Sequence, residues 1–311
     1  MLGIGKFRYA VLATVSAAAL MVTIERGPLA ADVAAPVAQD RWWFSVEGQY
    51  LLFDGDSADY SFDGDDFFRL KPDDGWGIGG EIGFQPADSP WSFVGRVRYG
   101  QSNKEKDSQV YSGYYYGRDD ADHREEHIVA DLEIGRDVGL GALGDGSNVR
   151  LFGGVRFAHF NGKGSFSTYS NFGPTSTDLD IKRKFTGIGP RIGFDATMPL
   201  SDQFSLDVGA AGAVLFGKQK FEASGTTSYS AFGPYDVNEK RSKSVVVPNL
   251  EASAAFSWLI TDDAKFSLGY RVDSYFDVYD DGSVFGGRDE GDRIIHGPFI
   301  KLTIGTGGDG G

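Results

Sequence analysis

The 311-residue sequence predicts an all-β chain. Within that class it predicts an antiparallel, up-and-down transmembrane β-barrel of about ten strands, in a range of roughly eight to fourteen, after a cleaved signal peptide. Three observations carry this reading. Segments alternate apolar and polar residues with period two, so successive side chains face opposite ways. Short and long connections alternate between them. Charge stands on nearly every polar face, where a water-filled or ion-paired interior would want it. Composition agrees, with 44 glycines, 14% aromatic residues, 3 methionines and no cysteine.

The stretch "HIVADLEIGRDVG", residues 127–139, poses the choice sharply. Ile128 and Leu132 would share a helical face. However, Ile128, Ala130, Leu132 and Ile134 against Asp131, Glu133 and Asp137 fit period two better, and Gly135 and Gly139 weaken a helix. A strand with oil on one face and acid on the other suits lipid outside and a polar lumen inside. A soluble sandwich makes the reverse demand, and periodicity alone does not separate the two. Hairpin order and turn asymmetry favour the barrel.

In chain order the strands are expected at 43–53, 75–85, 91–101, 127–139, 149–161, 185–198, 203–217, 244–259, 265–275 and 293–305. The first sets Phe44, Val46, Tyr50 and Leu52 against Ser45, Glu47 and Gln49. The second opposes Trp76, Ile78, Ile82 and Phe84 to Glu81. The third opposes Trp91, Phe93, Val97 and Tyr99 to Arg96 and Arg98. The fourth is the stretch above. In the fifth, Leu151, Val155 and Phe157 oppose Arg150 and Arg156; in the sixth, Ile188, Ile192 and Phe194 oppose Arg191 and Asp195. The seventh pairs Phe204, Leu206 and Val208 with Asp207, the eighth Leu250, Phe256 and Trp258 with Glu251. The ninth sets Phe266, Leu268 and Tyr270 against Arg271 and Asp273, the last Ile300, Leu302 and Ile304 against Lys301. Each is long enough to cross a bilayer, which takes roughly 9–11 tilted residues. Aromatic residues near both ends suit the headgroup girdles.

Short connections ("PADSP", "GLGALGDGSN", "PLSD", "TDDA") follow the even-numbered strands and long ones the odd-numbered, which puts both termini on the short-turn side. Pro190, Pro248 and Pro298 fall inside strand patterns and cannot donate to a ladder, so a bulge or strand start is expected at each. "YSNFGP" and "YSAFGP", at 169–174 and 229–234, suggest a duplicated hairpin with a shared Gly-Pro turn.

Four segments are expected. Residues 1–31 form the signal peptide, with Lys6 and Arg8 before an apolar run and small residues up to Ala31; a signal anchor is the rival. Residues 32–41 are a short periplasmic segment, 42–305 the barrel and 306–311 a Gly-rich tail. Cleavage removes three positive charges and one negative, taking the net charge from −14 to −16. An acidic exported chain is a poor nucleic-acid binder.

Fifteen charges are expected to line the lumen: Glu47, Glu81, Asp131, Glu133, Asp195, Asp207, Glu251 and Asp273, with Arg96, Arg98, Arg150, Arg156, Arg191, Arg271 and Lys301. Eight acids against seven bases suggest pairing, Arg96 and Arg98 with Asp131 and Glu133 among them. Loop one holds Asp54, Asp56, Asp59, Asp63, Asp65 and Asp66, an acidic mouth that would concentrate cations. Its Asp-Gly-Asp spacing fails as an EF-hand, which needs glycine at position six and glutamate at twelve; Asp59 and Asp65 stand there. The four histidines, His123, His127, His159 and His296, match no metal-site or catalytic spacing, so neither an enzyme nor a cofactor is expected.

"HIVADLEIGRDVGLG", "VRLFGGVRFAHF", "FTGIGPRIGFDA", "VPNLEASAAFSW" and "SLGYRVDSYFDV" together resemble the Legionella major outer membrane protein family of pore-forming proteins, from about Trp42 to Thr303. The resemblance implies an outer-membrane pore and no catalytic residues. Two departures stand out. The family's best-known members are cysteine-linked oligomers and this chain has no Cys; and its last strand lacks a terminal aromatic, Phe299 being the nearest. The expected function is passive passage of small solutes or ions with cation preference. The alternatives are a sealed structural or surface-binding barrel acting through its loops, and a lipid-acting barrel enzyme. Expected partners are outer-membrane lipid and lipopolysaccharide, the barrel assembly machinery, small solutes or ions, and a second copy of the chain.

Overall fold

The computed structural model describes residues 39–59, 69–112, 116–138, 147–171, 175–229, 233–282, 284 and 289–306. The strands are β1 (Arg41–Gly55), β2 (Ala58–Asp59), β3 (Arg69–Leu70), β4 (Gly75–Gln85), β5 (Trp91–Ser102), β6 (Glu105–Tyr111), β7 (Gly117–Val138), β8 (Asn148–Ser170), β9 (Thr175–Pro199), β10 (Phe204–Tyr229), β11 (Gly233–Thr261), β12 (Ala264–Asp280) and β13 (Glu290–Thr306).

Eleven strands form one antiparallel sheet, in the order β5-β4-β1-β13-β12-β11-β10-β9-β8-β7-β6, and β5 also pairs with β7. That pairing closes the ring. Because β5 and β6 lie one after the other along β7, opposite 126–136 and 117–123, they share one place in the wall and the ring has ten places. The two-stranded β2-β3 sheet belongs to loop one.

Side chains obey the alternation. Trp42, Phe44, Val46 and Tyr50 on β1, Trp76, Ile78 and Ile82 on β4, and Ile128, Leu132 and Ile134 on β7 are exposed on the outer wall. The opposite parity is buried inside. Exposed rings mark the belt's lower edge at Trp42, Trp91, Phe204 and Trp258, and its upper edge at Tyr50, Trp76 and Phe216. Among the described residues no helix is long and apolar enough to cross a membrane; the strands cross.

The sequence understates the strands from β7 onward. Long connections expected as loops instead continue the ladder: β10 and β11 stay paired up to Tyr229↔Gly233, and β11 runs 29 residues, about 95 Å at ~3.3 Å per residue. Since roughly 9–11 residues suffice to cross, the outer half of the wall stands clear of the lipid. Polar outward residues replace the apolar ones there, so an apolarity pattern stops where the membrane does. Of the two repeats, Tyr169 and Ser170 close β8 and Gly233 and Pro234 open β11; residues 172–174 and 230–232 lie outside the described residues.

The three prolines are inside strands, not at their starts. Pro190 falls where the β9–β10 ladder skips from Ile188↔Phe216 to Arg191↔Ala213, and Pro298 where β1–β13 skips from Gln49↔Phe299 to Leu52↔His296. Pro248 adjoins Asn249, the last β11 residue on that side to pair with β12. A missing N–H is thus tolerated where a ladder is already open. Gly297, before Pro298, has φ +148°, and a Cβ there would lie 2.0 Å from the Tyr50 carbonyl oxygen. Gly297→Ala is expected to lower stability by about 1–3 kcal/mol, read as a lower urea midpoint for loss of the compact, heat-modifiable band.

Candidate functional site: a layered lumen

Residues of inward parity divide the interior into layers that can be read along any strand. On β7 the order is Glu133 and Asp131, then Val129 and His127, then Glu125 and His123, then Ala121. On β9 it is Asp195 and Arg191, then Phe185, then Arg183, then Ile181 and Leu179.

At the short-turn end a cavity of about 920 Å³ opens between the turns at 199–202 and 262–264, with Arg41, Asp207 and Lys265 among its lining residues. Its roof is a lattice of the predicted charges. Arg96 bonds Glu81 (2.6 Å), Glu133 (3.2 Å) and Asp195 (3.2 Å). Arg150 reaches Glu133 (3.1 Å) and Asp195 (3.2 Å). Arg156 grips Asp131 through two bonds of 2.7 Å, and donates to Glu251 at 2.5 Å and Asn249 at 2.6 Å. Arg191 holds Glu133 (3.1 Å) and Glu251 (3.2 Å); Arg98 holds Asp273 and Glu251, both at 2.8 Å. Arg271 pairs with Glu47 and lies over the Phe299 ring; Lys301 reaches Glu81 at 3.2 Å, and Asp207 is held by Lys265 at 2.8 Å. All fifteen predicted residues thus stand in ion pairs. Strands β5 and β11 are half-way round the ring from each other, so Arg98–Glu251 spans the whole bore.

Above the lattice lies an apolar layer of Leu51, Phe53, Val129, Phe160, Phe185, Leu215, Val247, Tyr275, Val278, Tyr279 and Ile295. Phe160 is central, its ring centroid 4.7 Å from Tyr275, 5.6 Å from His127 and 6.1 Å from Tyr279. Part of this layer comes from an infolded hairpin. β12 last pairs with β11 at Tyr275, its pairing with β13 is irregular between Tyr275 and Tyr279, and Asp277 takes φ 55°. Beyond that point Val278, Tyr279, Asp280 and Asp281 are buried inside the barrel.

A second charged layer holds this hairpin. Arg293 reaches across to Glu125 (2.9 Å) and to Asp281 (2.9 Å); Arg183 donates to the Asp280 carbonyl (3.1 Å), Arg241 to its carboxylate (3.2 Å), and Gln219 to the Asp277 carbonyl (2.6 Å). These groups stand above the aromatic belt. Burial pushes the Glu125 carboxyl up, but Arg293 and His123 outweigh it and hold it at about 2. For Asp281 burial prevails and its carboxyl is raised. A last apolar cluster, with Phe166, Leu179, Ile181, Phe221 and Val237 from the wall, takes in Ala58 and Leu70 of loop one and Val284 of the hairpin.

Sequence reasoning missed Glu125, Arg183, Arg241, Asp281 and Arg293 as lumen residues: the first four lie beyond the expected strand ends, and Arg293, which opens the expected last strand, is absent from that strand's inward series. Parity could have found the first two: Glu125 continues the series Asp131, Val129, His127, and Arg183 the series Arg191, Gly189, Gly187, Phe185. Of the acidic mouth, Asp54 lies on the outer wall against His296 (3.1 Å), and Asp56 accepts from the Asp292 backbone N–H (3.0 Å). Asp59 is in β2, while Asp63, Asp65 and Asp66 lie outside the described residues. His159 bonds Thr186 and His296 bonds Tyr270, both on the outer wall.

No curated protein matches the chain. Among solved structures it is similar to the outer membrane protease OmpT of Escherichia coli, at 11% identity and TM-score 0.47, over 88% of this chain and 99% of that one. It is also similar to the translocator domain of the autotransporter NalP from Neisseria meningitidis (10%, TM-score 0.35, 96% of each chain). A third is a major outer membrane protein of Thermus thermophilus (12%, TM-score 0.30, 85% of this chain and 99% of that one). The profile of the Legionella pneumophila major outer membrane protein precursor matches residues 37–305, most of the chain and all of the ring, so this bacterial outer-membrane β-barrel belongs to that family.

Proposed function

We propose that the protein is a non-enzymatic outer-membrane pore that rests closed and passes small cations or other small solutes when its lumen layers part. One observation carries the closed resting state: Arg98 and Glu251, from opposite sides of the ring, are 2.8 Å apart. The pore itself is supported by family membership and by the charged vestibule of about 920 Å³ that rises to the lattice. Buried ion pairs gain little net energy once desolvation is counted, so such a lattice can rearrange without losing a deep well. The acid of loop one supports cation preference. The same reading takes residues 1–31 as a signal removed on export, 32–41 as periplasmic, 42–305 as the barrel inserted by the assembly machinery and 306–311 as a tail, with self-association open to the mature chain.

A second reading is a barrel that never conducts and acts through its outer half; the tall wall of β8 to β11 favours it. Planar-bilayer recording of the refolded mature chain separates the two. A resting pore should show rare, brief openings that become more frequent with voltage and a reversal potential on the cation side in a salt gradient. Asp-to-Asn changes in loop one, at Asp56, Asp59, Asp63, Asp65 and Asp66, should reduce that preference. Silence at all voltages from protein shown to be folded would sink the pore and leave the second reading.

A further inference from the structure

Above the aromatic belt the outer wall turns basic on one side only. On β7 to β10 the outward positions beyond Ile128, His159 and Phe216 hold Arg124, Lys163, Lys182, Lys184, Lys218 and Lys220. Register gathers them into one patch. Arg124 is opposite Lys163, Lys163 opposite Lys182, and Lys184 opposite Lys220, while Lys218 is opposite Thr186. Facing residues in such ladders have Cβ atoms about 4.5–5.5 Å apart, close enough for like charges to repel. All are exposed except half-buried Lys184.

Two acids enter the patch: Glu126, which bonds Lys163 at 3.0 Å, and Glu222, opposite Lys182. Among the described residues Lys182, Lys184, Lys218 and Lys220 stand in no ion pair. This concentration of positive charge sits on a chain of net charge −14. Across the ring, at β1 and β4, the same level carries Asp54, Asp73 and Asp74 instead.

We propose that the β7–β10 rim binds the phosphorylated glucosamine headgroup of outer-leaflet lipopolysaccharide, with Lys182, Lys184, Lys218 and Lys220 on its phosphates. Three features select this occupant. The patch lies just above the belt, at the height where headgroup phosphates meet the protein. Its charge complements a bisphosphate, and the repulsion among its lysines is relieved by an anion between them. Immediately below, Ile188, Ile192 and Phe216 are 56%, 70% and 57% exposed, an apolar surface for the acyl chains of the same molecule.

The test uses the refolded mature chain in detergent and measures affinity for bisphosphorylated lipid A and for its monophosphorylated form, at low and high salt. Wild type should prefer the bisphosphate severalfold and weaken with salt. The K182Q/K184Q/K218Q/K220Q variant should bind about thirtyfold more weakly or worse, while D54N/D73N/D74N should bind no more weakly than wild type. A folded quadruple variant with unchanged affinity overturns the site. If that variant does not fold, the wild-type comparison decides alone: equal affinity for both lipid forms, insensitive to salt, overturns phosphate recognition.

Discussion

Arg156→Ala is expected to destabilise the folded barrel by about 3–5 kcal/mol, the scale of removing one member of a buried ion pair. Arg156 is 0% exposed and satisfies Asp131, Glu251 and Asn249 at once. Without it Asp131 keeps only long contacts, at 3.9 Å to Arg191 and 4.0 Å to Arg98. Glu251 loses less, because Arg98 and Arg191 still hold it. The cost is therefore chiefly one stranded carboxylate. Arg156→Met combined with Asp131→Leu removes both charges and should recover most of the stability. Urea midpoints of the heat-modifiable band measure each variant. A loss below about 0.5 kcal/mol from Arg156→Ala would mean that water reaches the lattice, as at an exposed pair.

Opening the bore should require breaching two layers together. Arg98→Ala with Glu251→Ala removes the contact across the lattice, but Leu51, Phe160, Phe185 and Tyr275 still fill the bore above it. Replacing 277–289 by a short turn withdraws Val278, Tyr279, Asp280 and Asp281, yet leaves the lattice intact below. Barriers in series are governed by the tighter one, so each change alone should leave conductance near the resting level. Together they should raise time-averaged conductance at least about tenfold, the factor expected from ~1.4 kcal/mol of gating free energy. Steady conduction from the lattice variant alone would show that the apolar layer is no barrier. No gain from the combined variant would place the seal higher, where Ala58 and Leu70 of loop one meet Phe166 and Phe221.

The ring and its lower interior were legible because two solvents act on one wall. Lipid outside demands Ile78, Val97, Leu132 and Ile192, while a polar interior admits Glu81, Arg96, Asp131 and Arg191 between them. Where both sides of the wall are polar, that contrast disappears. Lys182, Arg183 and Lys184 fall within the long connection expected between 161 and 185, yet Lys182 faces out and Arg183 is buried against Asp280. The prolines show a related limit. A bulge or a strand start is expected at Pro190 and Pro298; the structure shows an interrupted ladder on one side of each, inside the strand.

By itself the sequence determined the class of fold, a wall of about ten strands, the parity that sends the lower charges inward, and the side on which the turns are short. Period-two alternation is a local property, complete within each strand, so it needs no knowledge of neighbours. Only the tertiary structure decided that Arg98 meets Glu251 across the bore, that the 277–282 segment folds inside, and that six basic side chains from four strands gather on one side of the rim. These depend on register, closure and bore width. They join residues more than a hundred positions apart, such as Glu125 and Arg293, whose pairing no local pattern encodes.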